Sequence, residues 1–289
     1  MASMRDIKRR KSSVESTQQI TKAMKLVSTV KLQRAKARAE QSMFYFNELY
    51  NTVTSILARS RDLEHPYMKG GQSSKRAVVM ITSNKGLAGG YNSNVIKLVT
   101  RDPEFDKKNT VIYAIGKKGK DAMLREGYEV IRDFSEAIEA PTYRDGMTVT
   151  KELLEAFEKG EIGEIYLAYT FFKNTVSHIP TMLKLLPVEI HDSELDDKER
   201  KVVDVPMNFE PEDEEALNLI IPKYISSMVY GALIEAQASE NGARMQAMDN
   251  ATNNAAEMID HLSLLYNRAR QSKITTELTE IIAGADAIS

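Results

Sequence analysis

The chain has 289 residues and a formal net charge of −2, and 42% of its residues are hydrophobic and 28% charged. It contains no Cys, which excludes disulfides, thiolate metal sites and a Cys nucleophile. Only 7% of the residues are aromatic and Trp is absent, so elongated Ala-rich helices are favoured over a single dense core.

Proline and glycine separate the chain into three parts. All eight Pro residues lie between Pro66 and Pro222, and Gly is rare outside the same stretch. Because both residues interrupt helices, long uninterrupted helices are predicted at the two ends. The predicted domains are an N-terminal helix over residues 1–65, an inserted α/β domain over 66–212 and a C-terminal helix over 213–289.

The first segment is predicted to form one helix from about Ser3, its N-cap, to Ser60. Apolar or small residues recur mostly every three or four positions, as on one face of a helix. They are Met4, Ile7, Val14, Ile20, Met24, Val27, Leu32, Ala35, Ala39, Phe46, Leu49, Val53 and Ile56. Residues 1–40 carry eleven basic and three acidic side chains, a net of +8, and no apolar run follows the charged start, so no signal peptide is expected.

The middle of the chain alternates predicted strands and helices. Strands are predicted at 77–82, 110–115, 128–134 and 164–172, and helices at 118–126 and 149–159. Such alternation is typical of βαβ units in an open α/β sheet. Residues 175–188 are predicted to extend the sheet with an antiparallel strand.

The glycine-rich turn at residues 83–92 lies where α/β sheets bind phosphate, between a strand and a helix. It lacks both a G-x-G-x-x-G motif and a G-K-[ST] continuation, so a structural turn is favoured over a nucleotide site. The basic turn at 116–120 lacks the spacing as well. The four His residues have no ligand-like spacing, and no hydrolase or zinc-protease motif occurs. No cofactor, metal site or catalytic residue is therefore predicted.

Residues 189–215 form an acidic run of twelve acids and three bases, a net of −9. So many acids favour a solvated face or a docking surface over a catalytic pair. The basic N-terminal helix leaves nucleic-acid binding as an alternative function, although no aromatic residue interleaves with its basic residues before Phe44. An enzyme with a helical dimerisation arm is a second alternative, which would need a complete cofactor motif.

The last segment is predicted to form a second long helix from Pro222 to Ile282. Pro222 is expected in its first turn or at a kink. Small residues dominate the centre of its apolar seam, which allows two helices to approach closely. The seam consists of Ile225, Met228, Ala232, Ala236, Ala243, Ala247, Ala251, Ala255, Ile259, Leu262, Leu265, Ala269, Ile274, Leu278 and Ile281. No stretch approaches about 18 apolar residues, so no membrane span is expected.

Both ends of the chain closely resemble those of one known family, the gamma subunits of F-type ATP synthases. The resemblance is carried by residues 4–10, 17–28 and 266–285, and by the turn at 83–92. It implies that the terminal helices pair as a long antiparallel coiled coil, a shaft around an inserted open α/β (Rossmann-like) domain. No cysteine-bearing regulatory insert of the chloroplast type is present, which favours a bacterial form.

The resemblance also implies a function and its partners. The shaft would turn inside a ring of three alpha and three beta subunits, while its foot binds the epsilon subunit and the c ring. Proton flow would turn the ring, and the shaft would drive the beta subunits through their states. The nucleotides would lie on beta and alpha, and the chain would reach the cytoplasmic face of the membrane only through its partners, as a peripheral protein without nucleic acid.

Individual contact residues follow from the resemblance. The family's beta-subunit contacts match Met24, Lys25, Arg268, Arg270, Gln271, Thr275 and Glu277. Its c-ring contact matches Met207, Phe209 and Glu210, beside the acidic run. Considered without the resemblance, the basic segment near Arg270 is more simply a solvated helical face.

Overall fold

The computed structural model describes residues 3–59, 66–71, 73–188 and 213–286. Its elements, in chain order, are α1 (Met4–Arg59), α2 (Pro66–Lys69), β1 (Arg76–Ile81), α3 (Tyr91–Thr100), β2 (Thr110–Ile115), α4 (Lys117–Glu126), β3 (Glu129–Asp133), α5 (Tyr143–Glu158), β4 (Glu164–Phe172), β5 (His178–Leu186) and α6 (Asp213–Asp286). The long terminal helices and the alternating elements between them confirm the predicted architecture.

The start of α1 is fixed by a reciprocal cap. Ser3 Oγ accepts the Asp6 N–H at 3.2 Å, and the Asp6 carboxylate accepts the Ser3 N–H at 3.3 Å. This arrangement satisfies two N–H groups that a helix start otherwise leaves unpaired. Because the hydrogen bonds from Ser3 favour the ionised carboxylate, they hold the pKa of the Asp6 carboxyl below its usual value. The predicted N-cap at Ser3 is confirmed.

The start of α6 differs from the prediction, because Pro222 lies inside the helix and not in its first turn. The residues before it form helix because Leu217 and Ile221 are fully buried in the core beside the sheet. Burying two such side chains offsets the roughly 3 kcal/mol that an interior Pro costs a helix. Ser226 Oγ donates to the Pro222 carbonyl at 2.7 Å.

The five strands form one sheet in the order β3-β2-β1-β4-β5. The first four are parallel and β5 runs antiparallel to β4, as predicted. Successive side chains of β1 point to opposite faces: Val79 and Ile81 pack with α5 and α6, whereas Val78 and Met80 pack with α3 and α4. The sheet is therefore covered by helices on both faces, as expected for parallel strands with few polar residues.

Contacts between Cα atoms divide the chain into two compact units. The sheet unit comprises residues 30–243, and the helix-pair unit comprises residues 1–29 and 244–289. Both unit boundaries fall inside α1 and α6. The three-part division at 65/66 and 212/213 stays a prediction, because residues 60–65 and 189–212 lie outside the described ranges.

Within the helix-pair unit, α1 and α6 run antiparallel. The Thr21 and Thr252 hydroxyls share a hydrogen bond of 2.8 Å, and Lys25 Nζ lies 2.6 Å from Asp249 Oδ1. A step forward along α1 is thus a step back along α6, as predicted for a coiled coil. Counting seventeen residues from this pair in each direction places Met4 opposite about Ala269.

One stretch of α6, within Leu217–Ala283, has the length and composition of a membrane-spanning helix, with a mean hydropathy of 1.3. Half of that stretch is buried inside the protein. A helix that is buried in a protein core can have the same length and composition, so these properties do not distinguish a membrane-spanning helix from a core helix. The expectation that no segment crosses a membrane stays a prediction.

Candidate interaction surface

The last part of α6 is exposed on every side. Each side chain from 270 to 283 is exposed to solvent, and so is Arg268. Five of the predicted contact residues lie in this stretch, namely Arg268, Arg270, Gln271, Thr275 and Glu277. The structure thus places them together on one accessible helix, which is a condition for the predicted contact.

The predicted seam is wrong beyond Ala269. Ile274, Leu278 and Ile281 are 48%, 55% and 67% exposed, although the sequence pattern placed them in the helix–helix contact. The physical reason is register, because α1 begins at Met4 and leaves no residue of its own opposite this part of α6. Arg270 lies one turn before Ile274 on the same face, so a cation precedes an exposed apolar stripe.

The polar side chains of this stretch bond mainly within their own helix. Thr275 Oγ1 donates to the Gln271 carbonyl at 3.0 Å, and Lys273 Nζ lies 3.5 Å from Glu277 Oε1. Exposed ion pairs of this kind contribute about 0–1 kcal/mol. Because the pair is so weak, Glu277 can leave Lys273 for a group on another protein with little loss of free energy.

An apolar groove of about 560 Å³ lies between the start of α1 and α6, inside the helix-pair unit. Leu262, Leu265 and Ala269 line it from α6, and Ile7 lines it from α1. Arg268 lies at the same groove, together with the charged side chains Asp6 and Arg10. Arg268 therefore belongs to a different surface from the exposed stripe that follows it.

Met24 lies at the centre of a second exposed apolar face, on α1. Ile20 precedes it by one turn and Val27 follows it by one turn, and both are more than half exposed. The periodic pattern had placed these three residues on one buried face of α1, and this prediction is wrong for Ile20 and Val27, whereas Met24 is half-buried. The seam side of α1 here is formed by Thr21 and Ser28, which are buried.

Lys25 has a partner within the chain that the sequence did not reveal. Its ammonium group lies 2.6 Å from the Asp249 carboxylate, and both side chains are a little under half exposed. Asp249 could have been found only by aligning the two helices in antiparallel register. Met207, Phe209 and Glu210, the predicted c-ring contact, lie outside the described residues.

In the sheet unit, the glycine-rich turn bonds to itself and to its neighbours. Asn92 Oδ1 accepts the Ser83 N–H at 2.9 Å, and Asn84 donates to the Ser135 carbonyl at 2.8 Å while accepting the Lys117 N–H at 3.0 Å. These bonds join the ends of three strands beside a cleft of about 600 Å³. They support the structural interpretation of the turn.

Among the described residues, no three His, Asp or Glu side chains converge in a way that could hold a metal ion.

Gly116 shows why glycine is needed at the end of β2. Its φ is +108°, and a Cβ there would lie 2.0 Å from the Thr82 carbonyl oxygen. This glycine permits a close backbone approach, which is a structural role.

Comparisons with known proteins give one consistent result. The sequence profile of a family described as ATP synthase matches residues 3–288. The ATP synthase gamma chain of Lachnoclostridium phytofermentans is 60% identical over 295 residues, which cover 100% of both chains. The gamma chain of Acetobacterium woodii, named as sodium ion specific, is 40% identical over 303 residues, covering 99% of each chain. A chain in the central stalk and c-ring structure of Tetrahymena thermophila mitochondrial ATP synthase is 26% identical with a TM-score of 0.61, covering 80% of this chain and 99% of that one.

Proposed function

Because the chain belongs to the ATP synthase gamma-chain family, we propose that it is the central rotor shaft of an F-type ATP synthase. It couples rotation of the membrane c ring to conformational cycling of the catalytic beta subunits, for ATP synthesis or hydrolysis. The observation that carries this conclusion is the full-length match, which spans the terminal helices and the sheet domain alike. The nucleic-acid alternative finds no support in these comparisons.

The helix pair suits torque transmission. Two antiparallel helices joined by cross-helix contacts resist twisting better than one helix, and α1 and α6 each extend through both units. Thr21 and Thr252 provide one such contact, and Lys25 and Asp249 provide another. Polar contacts in a helix seam also specify its register, so a turn applied at one end reaches the other without slippage of the helices.

The exposed end of α6 is proposed to lie among the alpha and beta subunits. Arg270, Gln271 and Thr275 would catch a beta-subunit loop when its site is open. Hydrogen bonds to charged groups are worth roughly 1.5–3 kcal/mol each, enough to bias a beta subunit and weak enough to release every cycle. Glu277 would add to the same contact. Arg268, which lies at the apolar groove, would meet a beta subunit from another side of the helix.

Lower on α1, the half-buried Met24 and the exposed Ile20 and Val27 are proposed to press against a beta subunit. Lys25 is proposed to lie at the edge of that contact. Because Lys25 is already paired with Asp249, most of the force there would be steric. Charge would only tune it.

The membrane end of the rotor is proposed to comprise the sheet domain, which binds the epsilon subunit, and the segment with Met207, Phe209 and Glu210, which meets the c ring. Three alpha and three beta subunits would surround the shaft, and nucleotides would bind to them. The chain would then be a peripheral protein at the cytoplasmic face of a bacterial membrane. Proton flow is the proposed drive, although the 40% identical relative is named for sodium.

A rotation assay tests the proposal. Since the chain has no Cys, Lys108→Cys in the exposed part of the sheet unit gives one labelling site for a bead. In complexes reconstituted with alpha and beta subunits fixed to glass, ATP should turn the bead in one direction. Complexes without ATP are the control. A chain that fails to assemble, or a bead that stays still while ATP is hydrolysed, would contradict the proposed function.

A further inference from the structure

One face of α6 is held against the end of β4 and the start of β5, inside the sheet unit. Glu235, Ser239 and Gly242 lie on this face at spacings of four and three residues. Ser239 Oγ donates to the Thr170 carbonyl at 3.1 Å, and the Phe172 N–H donates to the Glu235 carboxyl. The contact therefore joins α6 to the sheet through a short polar row.

Glu235 differs from the other members of this row, because its carboxyl group is buried with few groups that could stabilise a charge. Its Oε2 atom is buried and has no hydrogen-bond partner among the described residues. An ionised carboxylate in such a place lacks both water and a cation, which costs several times more than burying its neutral form. Burial raises the pKa of Glu235 to about 7, against the opposing effect of the Phe172 N–H.

Apart from the Phe172 N–H, the groups that face Glu235 do not stabilise its charge. From β4, the Tyr169 phenol lies close enough that Glu235 contributes, after burial, to raising the pKa of Tyr169. From its own helix, Ser239 is already bonded to Thr170. No Lys or Arg among the described residues takes part in setting its pKa.

His178, on β5, is a further titratable group at this contact, and it also favours its neutral form. Its Nε2 atom is buried without a partner among the described residues, and burial lowers its pKa. It packs against Gly242 so closely that a Cβ there would lie 2.5 Å from Nε2. The contact is thus assembled from the neutral forms of Glu235, Tyr169 and His178.

We propose that Glu235 is a positioning residue of the rotor, which in its neutral form holds α6 against the β4–β5 hairpin and on ionisation loosens that contact. The loosening is a property of the isolated chain. Only its consequence for rotation rests on the proposed function, because the joint between α6 and the sheet would then carry torque between foot and shaft.

The direction of the pH dependence follows from the two shifts. Glu235 has a raised pKa when the contact is closed. The free-energy penalty of its ionisation is therefore absent below about pH 4.5, grows as the pH rises through about 7 and levels off about one pH unit above that. His178 has a lowered pKa, so its penalty grows as the pH falls below about 6.5. Between about pH 6.5 and 8.5, Glu235 alone loosens the contact.

Hydrogen exchange of the full chain measures this directly, in peptides that cover residues 169–179. After correction for intrinsic exchange, protection should fall about fourfold from about pH 6.5 to about pH 8.5 in the parent chain. Glu235→Gln keeps the shape and removes the charge, so its protection should stay level over this range. It should fall only on acidification, through His178.

Glu257→Gln is the matched control, since Glu257 is an exposed Glu on the same helix, and it should behave as the parent chain. A flat parent profile, or a Glu235→Gln profile that keeps the parent slope, would overturn the proposal. So would a slope that disappears only in His178→Gln. If Glu235→Gln does not fold, carboxyl ¹³C NMR of the parent chain decides, because one Glu must titrate near pH 7.

These measurements need no partner subunit, so they can fail while the chain still assembles and rotates. In assembled complexes, the ratio of ion pumping to ATP hydrolysis should fall at alkaline pH in the parent and stay level in Glu235→Gln. If the exchange result holds and this ratio is flat in both, Glu235 titrates without acting on the rotor, and the positioning role is overturned.

Discussion

The sheet unit and the helix-pair unit use the same kinds of residues in opposite ways. In the sheet unit, strands such as β1 and β2 are buried along almost their whole length, and helices cover both faces of the sheet. In the helix-pair unit, only a thin seam is buried, and Ile20, Leu264 and Leu278 face solvent. We therefore expect the first unit to provide most of the stability, and we propose that the second provides the surface for the beta subunits.

Similar substitutions should therefore lower the free energy of unfolding by different amounts in the two units. A Leu in a two-sided core loses transfer free energy and leaves a cavity, whereas an exposed Leu loses almost nothing when truncated. Function should show the reverse order if the exposed helix end meets the beta subunits. Variants in the two units therefore test the comparison directly.

The largest expected effect is in the sheet core. Leu153→Ala removes a fully buried side chain and should lower the free energy of unfolding by about 3–4 kcal/mol. Leu264→Ala, in the helix-pair unit, is the matched control, and it should change stability by less than about 0.5 kcal/mol. Denaturant titrations followed by circular dichroism measure both. Equal losses would show that the helix pair is as tightly packed as the sheet.

The next effect concerns backbone strain in the sheet unit. Gly116→Ala would place its Cβ 2.0 Å from the Thr82 carbonyl oxygen at a φ of +108°, so a loss of about 3 kcal/mol or more is expected. Gly127 also has a positive φ, +86°, but nothing lies within 4 Å of an added Cβ. Gly127→Ala should therefore cost only about 1 kcal/mol. Thermal unfolding of the two variants separates steric contact from φ strain, and equal shifts would refute the steric account.

A third effect should appear in function and not in stability. Arg270→Ala and Gln271→Leu should each lower ATP turnover by the assembled complex, roughly tenfold if one charged hydrogen bond is lost. The isolated chains should unfold as the parent does, because both side chains are exposed. Arg101→Ala, at an exposed site in the sheet unit, should leave turnover unchanged. Parental turnover in both test variants would favour a solvated face at Arg270.

The smallest effect is expected at the cross-helix pair. Lys25→Met should cost about 0–1 kcal/mol, because the pair with Asp249 is a little under half exposed. Exchanging the charges, with Lys25→Asp and Asp249→Lys together, should recover most of that loss. A double-mutant cycle by denaturant unfolding measures the coupling. If the exchanged pair also restores turnover lost in Lys25→Met, Lys25 acts within the shaft and not on beta.

The amino-acid sequence by itself determined the elements, because their signals are local. Breaker-free segments with apolar residues every three or four positions specify α1 and most of α6, and β-branched runs specify β1 and β2. Most element bounds were predicted closely on this basis. The start of α5 was missed by six residues, because its capping box at Thr142 and Asp145 was not recognised.

What only the tertiary structure decided is which faces meet. The seam ends near Ala269 because α1 begins at Met4, and Lys25 pairs with Asp249, 224 residues away. Pro222 lies inside a helix because the residues before it are buried against the sheet. Glu235 resembles any helical Glu until Phe172, Tyr169 and the sheet enclose it. Register and burial depend on contacts between residues that are remote in the chain. The free energy of those contacts cannot be derived from a local pattern of side chains.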